Sequence, residues 1–302
     1  MQDQKPTALF KIYSSTASQW AGVPLLGLVE KGYPEGSYEV DNIDLMADDD
    51  VGKPVNGGNF HPDYVAINPN GTIPSLTSPV LPAPLVESAD ILVYLDEGRP
   101  EGITLSPGKK GGDVDVVDKV KEVIDLVHSP QLSTNIILLD ARDRDELKAK
   151  QASPFRDFLA ARQAALDGYA AQFPDSDFYR SRRDMNHAIY RHYYLDGDDH
   201  QDFFDQSRAD YRGFAAGVAQ LDATLVLPYA AGPDLTLADL HVVPWLAHAM
   251  WGAGSERIDD FAPLEALVRK TVPEFCVGGK VRAWWANMLQ RESVRRVYPR
   301  PH

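Results

Sequence analysis

A proline-centred segment holds the backbone groups of this chain that are best suited to binding a ligand. Ile73-Pro74 follows the turn sequence Asn68-Pro69-Asn70-Gly71 and opens a short apolar run. A proline at a strand start removes a backbone donor, and an X-Pro bond is the peptide bond that can be cis. We expect this geometry to turn the backbone of Ile73 toward solvent, where an extended peptide could pair with it.

A predicted helix start follows this segment. Glu87 and Ser88 come thirteen and fourteen residues after Pro74 and precede a run with helical apolar spacing. Free N–H groups at the N-terminus of a helix favour an anion such as a carboxylate. Strand backbone beside an anion site suits an extended acidic peptide, although Ser88 could also serve as a helix cap.

Short strands and helices in the N-terminal third are expected to position these groups. Their order is β-α-β and then β-β-α, over Leu9–Tyr13, Ser18–Lys31, Tyr38–Leu45, Ile73–Thr77, Leu85–Glu87 and Ala89–Glu97. Gly32 suits the left-handed residue that ends a helix. The first three elements predict a βαβ unit with a parallel strand pair, and the whole order is that of a thioredoxin-like α/β sheet.

The rest of the chain shows the apolar spacing of helices and no convincing strand. The predicted helices are Val114–Val127, Phe155–Gln172, Asp184–Leu195, Asp202–Leu225, Leu237–Trp251, Leu264–Thr271 and Val281–Arg291. Gly, Pro and Lys predominate just before them, which is typical of a linker. We therefore predict an α/β domain over residues 1–100, a linker over residues 101–113 and an all-helical domain over residues 114–302.

Thr236 and Asp239 have the spacing of a capping box at the start of one predicted helix. Thr236 would cap the first turn, and Asp239 would accept a bond from the Thr236 N–H, in place of the more usual Glu or Gln. Leu235 and Leu240 are placed to pack as a hydrophobic staple. The pattern predicts a structural role for Asp239, not a catalytic one.

Taken in order, these motifs resemble the cytosolic glutathione transferase family. Asn-Pro-x-Gly-x-Ile-Pro-x-Leu at residues 68–76 and Glu-Ser-x-x-Ile-x-x-Tyr-Leu at residues 87–95 are similar to its glutathione-binding half. The capping box and the tail Trp284-Trp285-x-x-Met288-Leu289 are similar to its central and final helices. The resemblance covers nearly the whole chain. It implies a thioredoxin-like N-terminal domain, an all-α C-terminal domain and glutathione as co-substrate.

The resemblance implies that a hydroxyl at the start of the first helix activates the glutathione thiol. The predicted N-terminal domain contains no cysteine, which argues against glutaredoxin-like or cysteine-type chemistry there. Ser18 is favoured because its position, five residues after Tyr13 and twelve before Glu30, is similar to the serine-type classes of the family. Ser15 and Ser14 are alternatives, and any of these hydroxyls could simply cap the helix.

The resemblance also assigns the contacts of glutathione. Glu87 and Ser88 would bind its γ-glutamyl end. The backbone of Ile73 would pair with the cysteinyl amide, and Pro74 would hold the turn. The glycyl carboxylate has three candidate partners: His61, Asn70 and Lys53.

Composition and charge restrict the partners and the location. A net charge of -14 over 302 residues disfavours nucleic acid and anionic membranes as partners. The single cysteine, Cys276, allows no internal disulfide and fits a reducing compartment. Residues Met1–Lys5 lack the apolar core of a secretory signal, and no run reaches transmembrane length. We therefore expect a cytoplasmic protein and interpret the sequon Asn70-Gly71-Thr72 as a chance match.

The histidines do not predict a metal site. His187 and His192 are five residues apart and His241 and His248 are seven, whereas metal ligands usually come in tighter pairs with carboxylate or thiolate partners. We therefore expect no bound metal. An aromatic cluster is expected to pack between helices or, alternatively, to line the pocket of a second substrate: Tyr190, Tyr193, Tyr194, Phe203 and Phe204.

The sequence therefore predicts a glutathione transferase that acts on a small apolar electrophile in detoxification and, by resemblance, forms a homodimer. Two alternatives stay open. One is a binding or regulatory protein that kept the fold and lost the chemistry. It is motivated by Trp20-Ala21-Gly22, where the family commonly has a basic residue, and by the acidic stretch Asp48–Asp50. The other is a glutathione-dependent lyase or isomerase that cleaves ether or carbon–sulfur bonds, because the electrophile pocket varies freely.

Overall fold

The computed structural model describes residues 9–43, 45, 58–107, 114–194 and 200–302. Within these ranges, the strands and α-helices of the N-terminal part follow the order β1 (Phe10–Ser14), α1 (Gly22–Glu30), β2 (Tyr38–Asn42), α2 (Pro62–Val65), β3 (Ser75–Thr77) and α3 (Ser88–Gly98). The predicted Asp48–Asp50 stretch, Lys53 and Met1–Lys5 lie outside the described residues, as do residues 108–113 of the predicted linker.

The three strands form one mixed sheet in the order β2-β1-β3. β1 and β2 are parallel, from Phe10 opposite Tyr38 to Ser14 opposite Asn42, and β3 joins β1 antiparallel. The predicted βαβ unit is therefore present. The third strand begins after Pro74, since proline has no N–H to donate to the ladder. The predicted strand Leu85–Glu87 is reduced to a single bridge between Leu85 and Leu76.

Helix α1 begins later than its apolar spacing predicts. Ser18 has extended backbone, residues Gln19–Ala21 form one turn of 3₁₀ helix, and the α-helix starts at Gly22. The helix ends as predicted, since Gly32 adopts the left-handed conformation with φ of +64°. The buried face of α1 packs against α3 and against two helices of the C-terminal part, Leu237–Gly252 and Glu292–Val297.

The described residues of the C-terminal part form helices, joined by loops, and isolated bridges but no strand. Its helices are α4 (Val114–Val127), α5 (Asn135–Leu139), α6 (Arg144–Gln151), α7 (Pro154–Gln172), α8 (Asp177–Tyr194), α9 (His200–Thr224), α10 (Leu237–Gly252), α11 (Ala262–Arg269), α12 (Gly279–Met288) and α13 (Glu292–Val297). The predicted fold class, a thioredoxin-like domain followed by helices, is confirmed. The sequence did not predict α2, α5, α6 or α13, and α8 starts well before the predicted Asp184.

Helix α10 is the centre of the larger core, with every residue from Ala238 to Met250 buried. Thr236 is its N-cap, and the Asp239 carboxylate accepts from the N–H of Thr236 at 2.8 Å. The same carboxylate accepts from the N–H of Ala230 at 2.7 Å and from Trp284 Nε1 at 2.8 Å. Burial raises the pKa of Asp239, and these donors oppose that rise. Asp239 is therefore structural, because its carboxylate connects the start of α10 to Trp284 of α12.

A buried ion pair fixes the chain as it leaves α3. Lys31 Nζ lies 2.8 Å from Asp96 Oδ1, and both side chains are almost inaccessible to solvent. The Asp96 carboxylate also accepts from the N–H groups of Leu105 at 3.0 Å and Ser106 at 3.1 Å. These donors and Lys31 lower the pKa of Asp96 against the effect of burial. The segment after α3 is therefore attached to the end of α1.

The aromatic cluster of α8 and α9 serves packing. Tyr193 and Phe204 are buried with Leu147 and Leu159, and the other three aromatic residues pack around them. The stacked rings of Tyr190 and Tyr194, with centroids 4.6 Å apart, belong to the same contact. The interpretation of the five aromatic residues as packing between helices fits this arrangement.

Candidate functional site

A cavity of about 600 Å³ lies between the α/β part and the helices. On one side it is bordered by Ser18–Trp20 and by Gly71–Ile73. On the other side its wall comes from α5, α7, α8 and α10, including Leu138, Phe158 and Trp251. The cavity thus joins the predicted peptide-binding segment to a largely apolar chamber.

Ser18 and Ile73 meet at the edge of this cavity, although they are 55 residues apart in sequence. Ser18 Oγ donates to the carbonyl oxygen of Ile73 at 2.9 Å. The Ile73-Pro74 peptide bond is cis, as the sequence suggested it could be. The Ile73 side chain is buried against Ala21 and Tyr64. The Ser18 hydroxyl makes no capping bond to its own helix, so its only described hydrogen bond is to this carbonyl.

Ser14 and Ser15 are placed differently. Both are buried, and they border a second depression between α1 and β2, which Ser18 borders as well. Ser15 Oγ accepts from the N–H of Ala17 at 3.4 Å, a local contact within the loop. Of the three candidate hydroxyls, Ser18 borders the principal cavity, and the other two do not.

A buried polar network holds the backbone that precedes Pro74. Asn68 Nδ2 donates to the carbonyl of Thr72 at 2.7 Å and to Ser75 Oγ at 2.9 Å. The Tyr64 hydroxyl donates to the same carbonyl at 2.6 Å and lies 2.8 Å from Ser75 Oγ. Burial raises the pKa of Tyr64, which keeps the hydroxyl protonated as a donor. Asn68 was part of the predicted motif, but sequence reasoning gave Tyr64 and Asn68 no role.

The residues assigned to the two ends of the peptide lie in different positions. Glu87 is the exposed N-cap of α3 and Ser88 is its buried first residue, one position later than a Ser cap would require. Asn70 Nδ2 donates to Glu87 Oε1 at 3.4 Å, so Asn70 lies with this pair. His61 caps α2 and accepts from the N–H of Asp63 at 3.3 Å, away from the cavity wall. Lys53 is outside the described residues.

Two arginines in the cavity wall were missed by sequence reasoning. The Arg162 guanidinium of α7 lies over the rings of Phe60 at 4.7 Å and Phe158 at 4.9 Å. Arg182 of α8 donates from Nη2 to the carbonyl of Asn70 at 2.8 Å. Burial, and then the charge of Arg182, lowers the pKa of Arg162 to about 10. The only sequence signal is a charged residue among the apolar positions of α7.

Histidines form a neutral polar layer on the opposite wall. His248 Nδ1 lies 2.9 Å from Thr134 Oγ1, which donates to Gln19 Oε1 at 2.5 Å. Burial lowers the pKa of His248 to about 4, so the ring is neutral at physiological pH. His128 stacks on Trp20 with centroids 3.7 Å apart. These contacts connect the residue after Ser18 to α5 and α10.

The described part of the chain shows no group of three or more His, Cys, Asp or Glu side chains arranged to hold a metal ion. None of its helices combines the length and the apolar character that crossing a bilayer requires.

Comparison with known proteins finds one family model that matches the N-terminal part of the chain. Residues 12–102 match the family model of the glutathione S-transferase N-terminal domain. A comparison with curated protein sequences finds no significant match.

Three solved structures illustrate the similarity of the whole chain. A glutathione transferase homolog from Sulfitobacter, solved with bound glutathione, is 16% identical, with 97% of this chain and 98% of that chain covered and a TM-score of 0.57. A beta-etherase from Sphingobium sp. strain SYK-6 is 17% identical, with 96% and 99% covered and a TM-score of 0.59. Glutathione transferase F7 from Populus trichocarpa is 20% identical, with 96% and 98% covered and a TM-score of 0.53. At these identities the likeness shows a shared fold.

Proposed function

We propose that this chain, whose residues 12–102 match the glutathione S-transferase N-terminal domain and whose fold is shared with solved glutathione transferases, is a glutathione-dependent enzyme in which Ser18 activates the thiol. The observation that carries the proposal is the 2.9 Å contact of Ser18 Oγ with the Ile73 carbonyl at the edge of the cavity. A hydroxyl donor, a peptide-pairing backbone and a chamber for a second substrate come together at that point.

The proposed binding mode uses the backbone held by Tyr64 and Asn68. The cysteinyl amide of glutathione would donate to the Ile73 carbonyl, as in strand addition. Glu87, Ser88 and Asn70 would bind the γ-glutamyl end, where the N-terminus of α3 favours its carboxylate. Displaced from the carbonyl, the Ser18 hydroxyl would donate to the sulfur.

The proposed chemistry is nucleophilic attack by a stabilised thiolate. A hydrogen bond from Ser18 favours the charged form of the sulfur and so lowers the thiol pKa. The thiol proton leaves to water, the sulfur forms a bond to an electrophilic carbon, and the bond from that carbon to its leaving group breaks. Leu138, Phe158 and Trp251 would bury the apolar part of the electrophile. Holding both reactants in one cavity supplies further rate enhancement.

The Ser18→Ala variant tests the mechanism. Titration of bound glutathione, followed by thiolate absorbance, should show a lowered thiol pKa in the parent protein and an ordinary one in the variant. Turnover should fall roughly 10²- to 10³-fold, as for the loss of one donor to a developing anion, while glutathione affinity changes little.

Ser15→Ala is the matched control, because Ser15 lies outside the cavity wall, and it should retain the parent activity. An unchanged thiol pKa in Ser18→Ala, or full activity of that variant, would reject the assignment. Glutathione binding without turnover on any electrophile would instead favour a binding or regulatory protein.

A second candidate is glutathione-dependent ether cleavage. It is motivated by the apolar side chains that line the cavity beside Ser18 and by the fold that this chain shares with the Sphingobium beta-etherase. The same thiolate would attack a carbon bearing an aryloxy group, and the carbon–oxygen bond would break as the phenolate leaves. Release of a phenol from an aryl ether in the presence of glutathione distinguishes this reaction from conjugation of a halide.

We also propose that the protein acts as a homodimer in the cytoplasm and serves detoxification. Support comes from the family resemblance and from a single cysteine, which suits a reducing compartment. Light scattering measures the oligomeric state against the chain mass of 33.4 kDa.

A further inference from the structure

The cavity wall contains a cation that has no described counter-ion. Arg162 of α7 borders the cavity and is partly buried, and its Nε is inaccessible to solvent with no hydrogen-bond partner. No ion pair joins Arg162 to an acidic side chain in the described part of the chain. A buried charge without a partner is costly, so its retention calls for an explanation.

Two other arginines that are withdrawn from solvent do have acidic partners within the chain. Arg142 pairs with Glu146 and donates to the carbonyl of Leu267 at 2.7 Å. Arg291 pairs with Glu30 through two bonds of 2.7 and 2.6 Å. The protein thus pairs these guanidinium groups within the chain, whereas that of Arg162 lies over the rings of Phe60 and Phe158 and forms no described ion pair.

Arg182 adds a second positive charge to the same wall. Its only described hydrogen bond goes to the Asn70 carbonyl, a neutral acceptor, and it also forms no described ion pair. Its charge acts on Arg162, so the two guanidinium groups repel each other. Two adjacent cations in a chain with a net charge of -14 form a local field suited to an anion.

The cavity wall offers further unused polar atoms. Asn59 Oδ1 and His248 Nε2 both belong to residues that border the cavity, and both are buried without a hydrogen-bond partner. The wall around the Arg162 guanidinium therefore combines polar residues with the apolar side chains of Leu138, Phe158 and Trp251. The second substrate expected from sequence was simply apolar, whereas the two arginines in the cavity wall indicate a ligand that also carries an acidic group.

We propose that Arg162, assisted by Arg182, is a subsite of this cavity that binds the carboxylate of a ligand held there. The inference rests on the proposed function, since it assumes that glutathione occupies the neighbouring Ile73 edge. Arginine suits a carboxylate because its planar fork donates two parallel hydrogen bonds. The carboxylate has two possible sources, the second substrate and the glycyl end of glutathione.

Paired glutathione conjugates test the subsite and identify the source. S-(4-carboxybenzyl)glutathione and S-benzylglutathione differ by one carboxylate on the second-substrate side. Glutathione and its glycyl amide differ by the carboxylate at the other end. Calorimetry on the parent protein, Arg162→Met and Arg162→Lys compares the affinities, and Arg183→Gln is the control because Arg183 pairs with Asp184 on the same helix.

The expected result is a parent preference of roughly tenfold or more for one acidic ligand over its neutral partner. Arg162→Met should remove the preference, Arg162→Lys should restore part of it, and Arg183→Gln should leave it intact. A preference between the two benzyl conjugates assigns the carboxylate to the second substrate. A preference between glutathione and its amide assigns it to the tripeptide.

Other outcomes overturn the inference. Parent protein that binds all the ligands without preference, or a preference that survives in Arg162→Met, would show that the guanidinium only packs between the rings. Absence of binding by every glutathione ligand would reject the proposed function itself, and the inference with it. Thermal unfolding of each variant establishes that it is folded, and Arg162→Lys provides the comparison if Arg162→Met is not.

Discussion

At the scale of single residues, the site depends on backbone groups that are held by buried polar side chains. Tyr64 and Asn68 both donate to the carbonyl of Thr72, so the backbone before Pro74 is fixed independently of any ligand. Buried side-chain networks of this kind are effective only when every member is satisfied. A precise backbone position is what pairing with a peptide requires.

A residue-scale prediction concerns Asp140, which follows α5. Burial, and then the charge of Asp210, raises the pKa of Asp140 from 3.8 to about 7. Between these values the folded protein binds more protons than the unfolded chain, so stability falls as pH rises through this window. Asp140→Asn should therefore flatten the decline of the urea midpoint between about pH 4 and 7.

Asp145→Asn is the control, because Asp145 is exposed on the neighbouring α6. Its stability curve should run parallel to that of the parent. A curve for Asp140→Asn that also runs parallel would contradict the predicted titration. The window ends below the titration of Lys150, whose pKa burial lowers to about 8.

At the scale of elements, the ion pair between Lys31 and Asp96 joins α1, α3 and the segment that follows α3. Asp96→Asn would leave the ammonium group of Lys31 buried without a counter-charge. Removing one partner of such a pair costs about 3–5 kcal/mol. We therefore expect a large fall in the free energy of unfolding, measured by urea denaturation.

The double variant Lys31→Met with Asp96→Leu provides the matched comparison. It removes both charges, so it should be less destabilised than the sum of its single variants. A loss below about 1 kcal/mol in Asp96→Asn would show that solvent reaches the pair and screens it.

Elements with strong local patterns could be predicted from the sequence, and others could not. The βαβ unit and α10 were evident because alternation and the Thr236–Asp239 box are local signals. Helix α5 has five residues, too few to show periodicity. The start of α8 is rich in arginine, so its helical structure depends on packing against α7.

The candidate site was predictable in part for the same reason. Ser18 and Ile73 belong to sequence motifs, whereas their 2.9 Å contact required the fold. Arg162 could not be found, because a charged residue on an apolar helix face gains its meaning only from what lies opposite. The roles of Glu87, Ser88 and Asn70 stay predictions until a ligand complex is measured.

At the scale of the whole molecule, the C-terminal segment contacts the start of α1. A Cβ added at Gly22 would lie 1.8 Å from the Tyr298 hydroxyl oxygen and 3.2 Å from Pro244 Cγ. Tyr298 is buried and cannot move into solvent. Gly22→Ala should therefore destabilise the protein by about 1–3 kcal/mol through overpacking, although alanine has the higher helix propensity.

The Tyr298→Phe change tests whether overpacking against the Tyr298 hydroxyl causes the loss of stability in Gly22→Ala. It removes the nearest atom, so adding it to Gly22→Ala should recover part of the lost stability, as measured by thermal unfolding. Gly168→Ala is the control, because a Cβ there meets no atom within 4 Å. If Gly22→Ala is as stable as the parent protein, the C-terminal segment shifts to accommodate the added methyl group.

The hydroxyl of Ser18 and an incoming cysteinyl amide need the same acceptor, the Ile73 carbonyl. Docking of a tripeptide and redirection of the hydroxyl would then be a single exchange, in which one donor replaces another and no polar group is stranded. Moving the Ser18 hydroxyl from the Ile73 carbonyl to the sulfur would therefore change the hydrogen-bond energy very little. The cysteinyl amide would thus release the hydroxyl that stabilises the thiolate of the same residue.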